Sequence, residues 1–178
     1  MTSRLVTAAV LASGLVFACT AQAQQPAAPA PISPDAIPDK MPFSTPYGAP
    51  ISLQKAEAAK QAAIAEADKR GWQMNVAVVD SGANLVTFSR MDGAALASIS
   101  IARRKARAAV RYRRPTRVFE DLVQRGIAYL KTPDDATESR GGIPLVEDGK
   151  LIGAIGCSGG TGSQDEAVCT VGAATINK

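Results

Sequence analysis

Eight of the chain's eleven prolines fall between residues 24 and 50: Pro26, Pro29, Pro31, Pro34, Pro38, Pro42, Pro46 and Pro50. Proline fixes φ and removes an amide donor, so neither a helix nor a sheet can run through this stretch. It reads as an extended, semi-rigid tether whose far end offers Phe43 and Tyr47 as apolar handles for packing. Whatever buries a core therefore lies in residues 51–178. By length that is one domain, large enough for a single modest core.

Ahead of the tether the chain begins "MTSRLVTAAVLASGLVFACTAQAQQ". Arg4 is a charged start, Leu5 to Ala18 is an apolar run, and Ala21-Gln22-Ala23 is an A-x-A cleavage site. The run is too short and too rich in alanine for a membrane span. Residues 1–23 are the expected signal peptide, cut after Ala23, which places the mature protein in the periplasm or outside the cell. Cys19 leaves a lipoprotein alternative open, with the bulky Phe17 against it. Loss of Arg4 takes the net charge from +4 to +3.

Along the domain, "SLQKAEAAKQAAIAEADKRG" is an alanine-rich helix capped by Ser52 and stopped by Gly71. "WQMNVAVVD" and "NLVTFSR" are strands joined by a tight turn. "AALASISIARRKARAAVRYRR" is a second helix ended by Pro115, and "PTRVFEDLVQR" a shorter one stopped by Gly126. "GIPLVEDGKLIGAIG" is a hairpin about Asp148-Gly149. A last helix follows, with Ser163 and Glu166 as its expected capping box. Hairpins separated by helices imply an antiparallel sheet covered by helices, an α+β layout.

The loop "GAIGCSGGTGSQDEA" has the strand–glycine–helix context of a phosphate site but not its spacing. No lysine lies between Lys150 and Lys178, and Asp165 stands where a dinucleotide fingerprint needs its third glycine. Asp165 and Glu166 already fill the electropositive helix start that a phosphate would take. The expected role of Gly156–Gly162 is a wall of a ligand pocket or oligomer interface. Facing the bare backbone of Gly141 and Gly142, it would form a flat slot. The alternative is that these glycines only serve turn geometry.

The chain has no histidine. Ser158 and Ser163 therefore cannot belong to a Ser–His–Asp triad, and no Cys–His pair exists. No group of carboxylates or cysteines has metal-ligand spacing, so no metal site is expected. Cys157 and Cys169 are either a disulfide or two buried thiols. From Arg103 to Arg117 there are seven arginines, one lysine and no acid. Arg103, Arg104, Arg107, Arg111 and Arg114 share one helix face, while Lys105 points toward the apolar side. That face is a solvated surface, an interface laced with ion pairs, or a seat for carboxylate-bearing ligands. Nucleic acid is not an expected partner, since few aromatics interleave with the arginines. "RMDGA" holds Arg90, Met91 and Asp92 at a strand end. Asp92 can cap the following helix, or Met91 can serve as a soft pocket wall or axial ligand.

In order, "VAVVDSGANLVTFSRMDGA", "SISIARRKARAA", "PT", "GGIPLVEDGKLIGAIGCSGG" and "QDEA" resemble the GlcG/HbpS family. That family comprises glycolate-operon accessory proteins and extracellular haem-binding proteins. The carboxy-terminal domain of PduO-type cobalamin adenosyltransferases is similar. The resemblance spans about residues 52 to 176 and implies a profilin-like fold with a five-stranded antiparallel sheet flanked by helices. It also implies homo-oligomers and, for some members, a haem or related tetrapyrrole. Carried onto the matching positions, it marks Arg90, Met91, Asp92, Lys105, Thr116, Gly141 and Gly142 as cofactor-binding. Haem-binding relatives often use histidine, so an iron ligand here would be another residue type. The expected function is an exported small-ligand-binding protein. The alternative is an enzyme or accessory acting on a small hydroxy or keto acid, with Lys105, Arg90 and Asp92 as its candidate residues. A purely structural or assembly role is the third reading.

Overall fold

A computed structural model of the chain describes residues 44–126 and 137–177. The expected signal peptide, its cleavage site, Cys19 and Phe43 lie outside them. The elements run α1 (Leu53–Lys69), β1 (Asn75–Asp80), β2 (Leu85–Arg90), α2 (Ala97–Arg111), α3 (Arg117–Gln124), β3 (Gly142–Glu147), β4 (Lys150–Ser158) and α4 (Gly162–Ala173). The sheet is antiparallel throughout, in the order β2-β1-β4-β3. This is the α+β layout that the pattern of elements implies. Among the described residues the sheet has four strands instead of five.

A further pairing among the described residues is a parallel bridge between Tyr47 and Leu151. Leu151 donates to Pro46 O and accepts from Gly48 N, both at 2.8 Å. Pro46 and Pro50 bracket this contact and have no amide of their own, and directly after Pro50 the Ile51 amide donates to Ile152 O at 2.9 Å. The end of the tether is docked. The Tyr47 hydroxyl faces the Val110 and Arg111 carbonyls at 3.1 and 3.0 Å, at the end of α2, where helix carbonyls lack partners within the helix.

Helices α1 and α4 pack on one face of the sheet, helix α2 on the other. On β1, Val76 and Val78 join the α1/α4 core, and Ala77 and Val79 join the α2 core. Burial on both faces is why this strand reads as a continuous apolar run. The α1 stripe of Ala56, Ala59, Ala63 and Ala67 is fully buried, and Ser52 caps its start. The β3–β4 turn places Asp148 and Gly149 at φ 48° and 71°, the left-handed pair that a two-residue hairpin requires. The outer edge of β3 is closed. Pro144 has no amide to offer, while Asn177 donates to Pro144 O at 3.0 Å and accepts from Val146 N at 2.7 Å.

Three local expectations are corrected. Asp92 does not cap α2: a turn from Met91 to Ala94, with Gly93 at φ 77°, separates it from the helix, which begins at Ala97. The capping box of α4 is Thr161 with Gln164, two residues before the Ser163–Glu166 pair. The slot between the two glycine segments is filled by α2. Gly142 and Gly156 are paired neighbours on β3 and β4. A Cβ on Gly156 would lie 2.2 Å from Ala102 O, and one on Gly142 would lie 2.3 Å from Lys105 O. The bare backbone lets a helix of the same chain lie directly on the sheet.

Gly156→Ala tests that packing. The added methyl has no room against the backbone of α2, and overpacking of this kind costs about 1–3 kcal/mol. A lowered urea midpoint is expected; an unchanged one refutes the close helix–sheet contact.

Candidate functional site

Lys105 lies on the inward side of α2 and is 1% exposed. Its ammonium meets Asp165 Oδ2 at 2.6 Å. The other carboxylate oxygen, Oδ1, accepts from the amides of Gly159 and Gly160, both at 3.0 Å. Starting α4 two residues early turns Asp165 inward to make these contacts. The amides at the head of the glycine loop thus go to the protein's own carboxylate.

Thr116, Gly141 and Gly142 join the same cluster. Thr116 Oγ1 accepts from Gly142 N at 2.9 Å and donates to Ser139 O at 2.8 Å. Gly141 sits at φ 112°, and a Cβ there would be 2.7 Å from the Asp165 side chain and 3.2 Å from Lys105 Nζ. Only glycine combines that conformation with that approach. Gly141 O also accepts from Cys157 N at 2.9 Å. Cys157 and Cys169 form a disulfide tying β4 to α4, with Cα atoms 5.6 Å apart. Outside the cluster, Arg140 holds Glu120 at 2.7 Å and reaches Glu166 at 3.6 Å, securing α3 over the segment before β3.

Arg90, Met91 and Asp92 stand apart, at the end of β2. Met91 is half-buried against the α1/α4 core, whereas Arg90 and Asp92 are exposed. Met91 and Asp92 line a cleft of about 340 Å³ with Ile64, Asp68, Trp72 and Gln73. An adjoining hollow of about 200 Å³ shares Trp72 and Gln73 and adds Gly159, Gly160 and Gln164. The glycine loop is therefore part of the wall of a small open hollow, while Arg90 stays outside both. Among the residues marked from the sequence, four meet in the buried cluster, two line the cleft and one is on the surface.

Asp165 and Trp72 were not marked. Lys105, standing off the arginine stripe on an apolar face, signals that a buried carboxylate must answer it. Spacing alone does not say which one. Trp72 gives no comparable signal, because its place in the cleft depends on where the end of α1 meets the end of β2.

The sequence model of the family described as "Haem degrading protein HbpS-like" matches residues 51–174. The chain belongs to the HbpS-like family. Protein GlcG of Escherichia coli is 41% identical over 108 residues, covering 61% of this chain and 81% of that protein. The corrinoid adenosyltransferase PduO of Salmonella typhimurium is 34% identical over 122 residues, 66% of this chain and 36% of PduO. Among solved structures, the PduOC–haem complex superposes with a TM-score of 0.67 at 30% identity, covering 72% of this chain and 96% of that one. HbpS superposes with a TM-score of 0.67 at 33% identity, covering 74% and 93%. The HbpS-like fold is thus matched over nearly the whole of each of these domains.

Burial pushes the Asp165 carboxyl above the ordinary carboxylate range; the Lys105 ammonium and the two loop amides pull it back. A carboxyl raised on folding adds stability below its unfolded value of about 3.9 and loses it as pH rises through its folded value. Lys105→Met removes the counter-charge and pushes Asp165 higher still. Stranding a buried charge costs about 3–5 kcal/mol. The deficit of this variant relative to wild type is expected to be large at pH 7 and smaller at pH 4. Equal deficits at the two pH values, read by urea unfolding, refute a charge-based role for the pair.

Proposed function

We propose that this protein is exported and binds haem or a related anionic tetrapyrrole. The observation that carries the reading is family membership over residues 51–174, together with likeness at 30% identity to a domain solved as a haem complex. The disulfide between Cys157 and Cys169 supports an oxidising compartment, and with it export.

The residues present meet a haem only in part. With no histidine in the chain, and with Cys157 and Cys169 joined, the described residues offer neither an imidazole nor a free thiolate. Met91 is the soft atom that borders a cleft. The same cleft carries Asp68 and Asp92, whose charge opposes a propionate. The cleft by itself does not fit a haem.

The alternative reading, chemistry on a small hydroxy or keto acid, draws on the 41% identity to GlcG. The geometry does not favour it. Lys105 is buried and held by Asp165, on another part of the fold from Arg90 and Asp92. A Schiff-base or general-base lysine must reach substrate, and this one faces the protein's own carboxylate.

Haemin titration of the purified protein, against an unrelated basic protein as control, is expected to give a saturable Soret shift at micromolar concentration. Absence of a specific shift removes the haem reading. Recovery from the periplasm, with an amino terminus at Gln24, is the expected outcome for export; a cytoplasmic, unprocessed chain refutes it.

A further inference from the structure

We infer that the ligand's carboxylates are held on the outward face of α2, with its apolar body lying over Leu96 and Ser100. The inference rests on the tetrapyrrole reading and moves the anionic contacts away from the acid-lined cleft.

Helix α2 contains no acidic residue between Ala97 and Arg111. Its inward side is Ser98, Ala102, Lys105, Ala106 and Ala109, all buried. On the opposite side Arg103, Arg107 and Arg111 follow one another at a turn each, with Arg104 beside them.

Several other arginines are paired with carboxylates. Arg70 pairs with Glu66, Arg117 with Asp121, and Arg140 with Glu120. Arg103 and Arg104 are exposed, and no carboxylate among the described residues pairs with either. A planar guanidinium fork suits a carboxylate that it can meet with two hydrogen bonds.

An apolar element lies in line with these two. Leu96 is 73% exposed, the largest value among the exposed large hydrophobics. Its backbone angles, −61° and −39°, continue the helical path. Seven residues separate it from Arg103, which places it about 10 Å along the helix axis on the same side. Ser100 between them is small and exposed. A flat amphiphile bearing two carboxylates can therefore rest its body on Leu96 and Ser100 and reach Arg103 and Arg104 with its acid groups. The cleft offers the opposite electrostatics, with Asp68 and Asp92 on its walls.

The test uses the protein purified from cells expressing the full chain, with haemin and haemin dimethyl ester as probes and Soret absorbance as the readout. Wild type is expected to bind haemin at least about tenfold more tightly than the ester, since charge-assisted contacts are lost in the ester. Arg103→Glu with Arg104→Glu is expected to weaken haemin by at least about tenfold, with an unchanged circular dichroism melt because both side chains are on the surface. Asp68→Asn is expected to leave haemin affinity within about twofold. Haemin bound equally by wild type and the arginine variant overturns the inference and leaves the tetrapyrrole reading standing. So does a loss confined to the aspartate variant. No haemin binding by wild type overturns both. If anionic phosphatidylglycerol vesicles bind wild type but not the arginine variant while haemin binding is unaltered, the face serves a lipid surface and the inference falls.

Discussion

One carboxylate organises this domain. Asp165 receives the Lys105 ammonium on one oxygen and the Gly159 and Gly160 amides on the other. Through these contacts it joins the helix on one face of the sheet to a helix on the other, across the end of β4. A buried ion pair is weak evidence for added stability, because desolvation offsets most of the attraction. Its stronger effect is on register. Sliding α2 by one residue would withdraw Lys105 and leave a charge stranded in the core.

The arrangement has a steric counterpart. The ammonium and the carboxylate can meet only because Gly141 offers no side chain at their junction, and α2 can lie low enough only because Gly142 and Gly156 are bare. The disulfide then fixes β4 to α4 within the same small region. Charge, packing and covalent bond all hold the head of the glycine loop in one conformation. A loop so constrained is a rigid wall of the hollow beside Trp72, not a lid over it.

Much of this was legible in the residues. Element order, both hairpins, the Ser52 cap and the inward turn of Lys105 follow from periodicity, turn chemistry and one helical projection. Family motifs drew Thr116, Gly141 and Gly142 to the same list, and the fold gathers them around Lys105. What was not legible depended on contacts distant in sequence. The Asp165–Lys105 pair spans sixty residues. Gly142 and Gly156 suggested open space because a missing side chain looks the same whether a ligand or a helix takes its place. Thr161 and Ser163 are both good caps, and inward rotation of Asp165 favours the earlier one. Tyr47 sat in a segment that proline removes from regular structure, so its docking on α2 had no local signal beyond its ring.

The two borders of the sheet are unlike. At β3 a proline and the Asn177 amide consume the groups that another strand would need. At β2 no such plug is present among the described residues. A slab that can be extended on one side only cannot grow into a fibre, because each addition consumes the sole open border of both partners. Strand-to-strand joining through the described strands therefore ends at two copies, which lets the domain be concentrated without seeding cross-β growth.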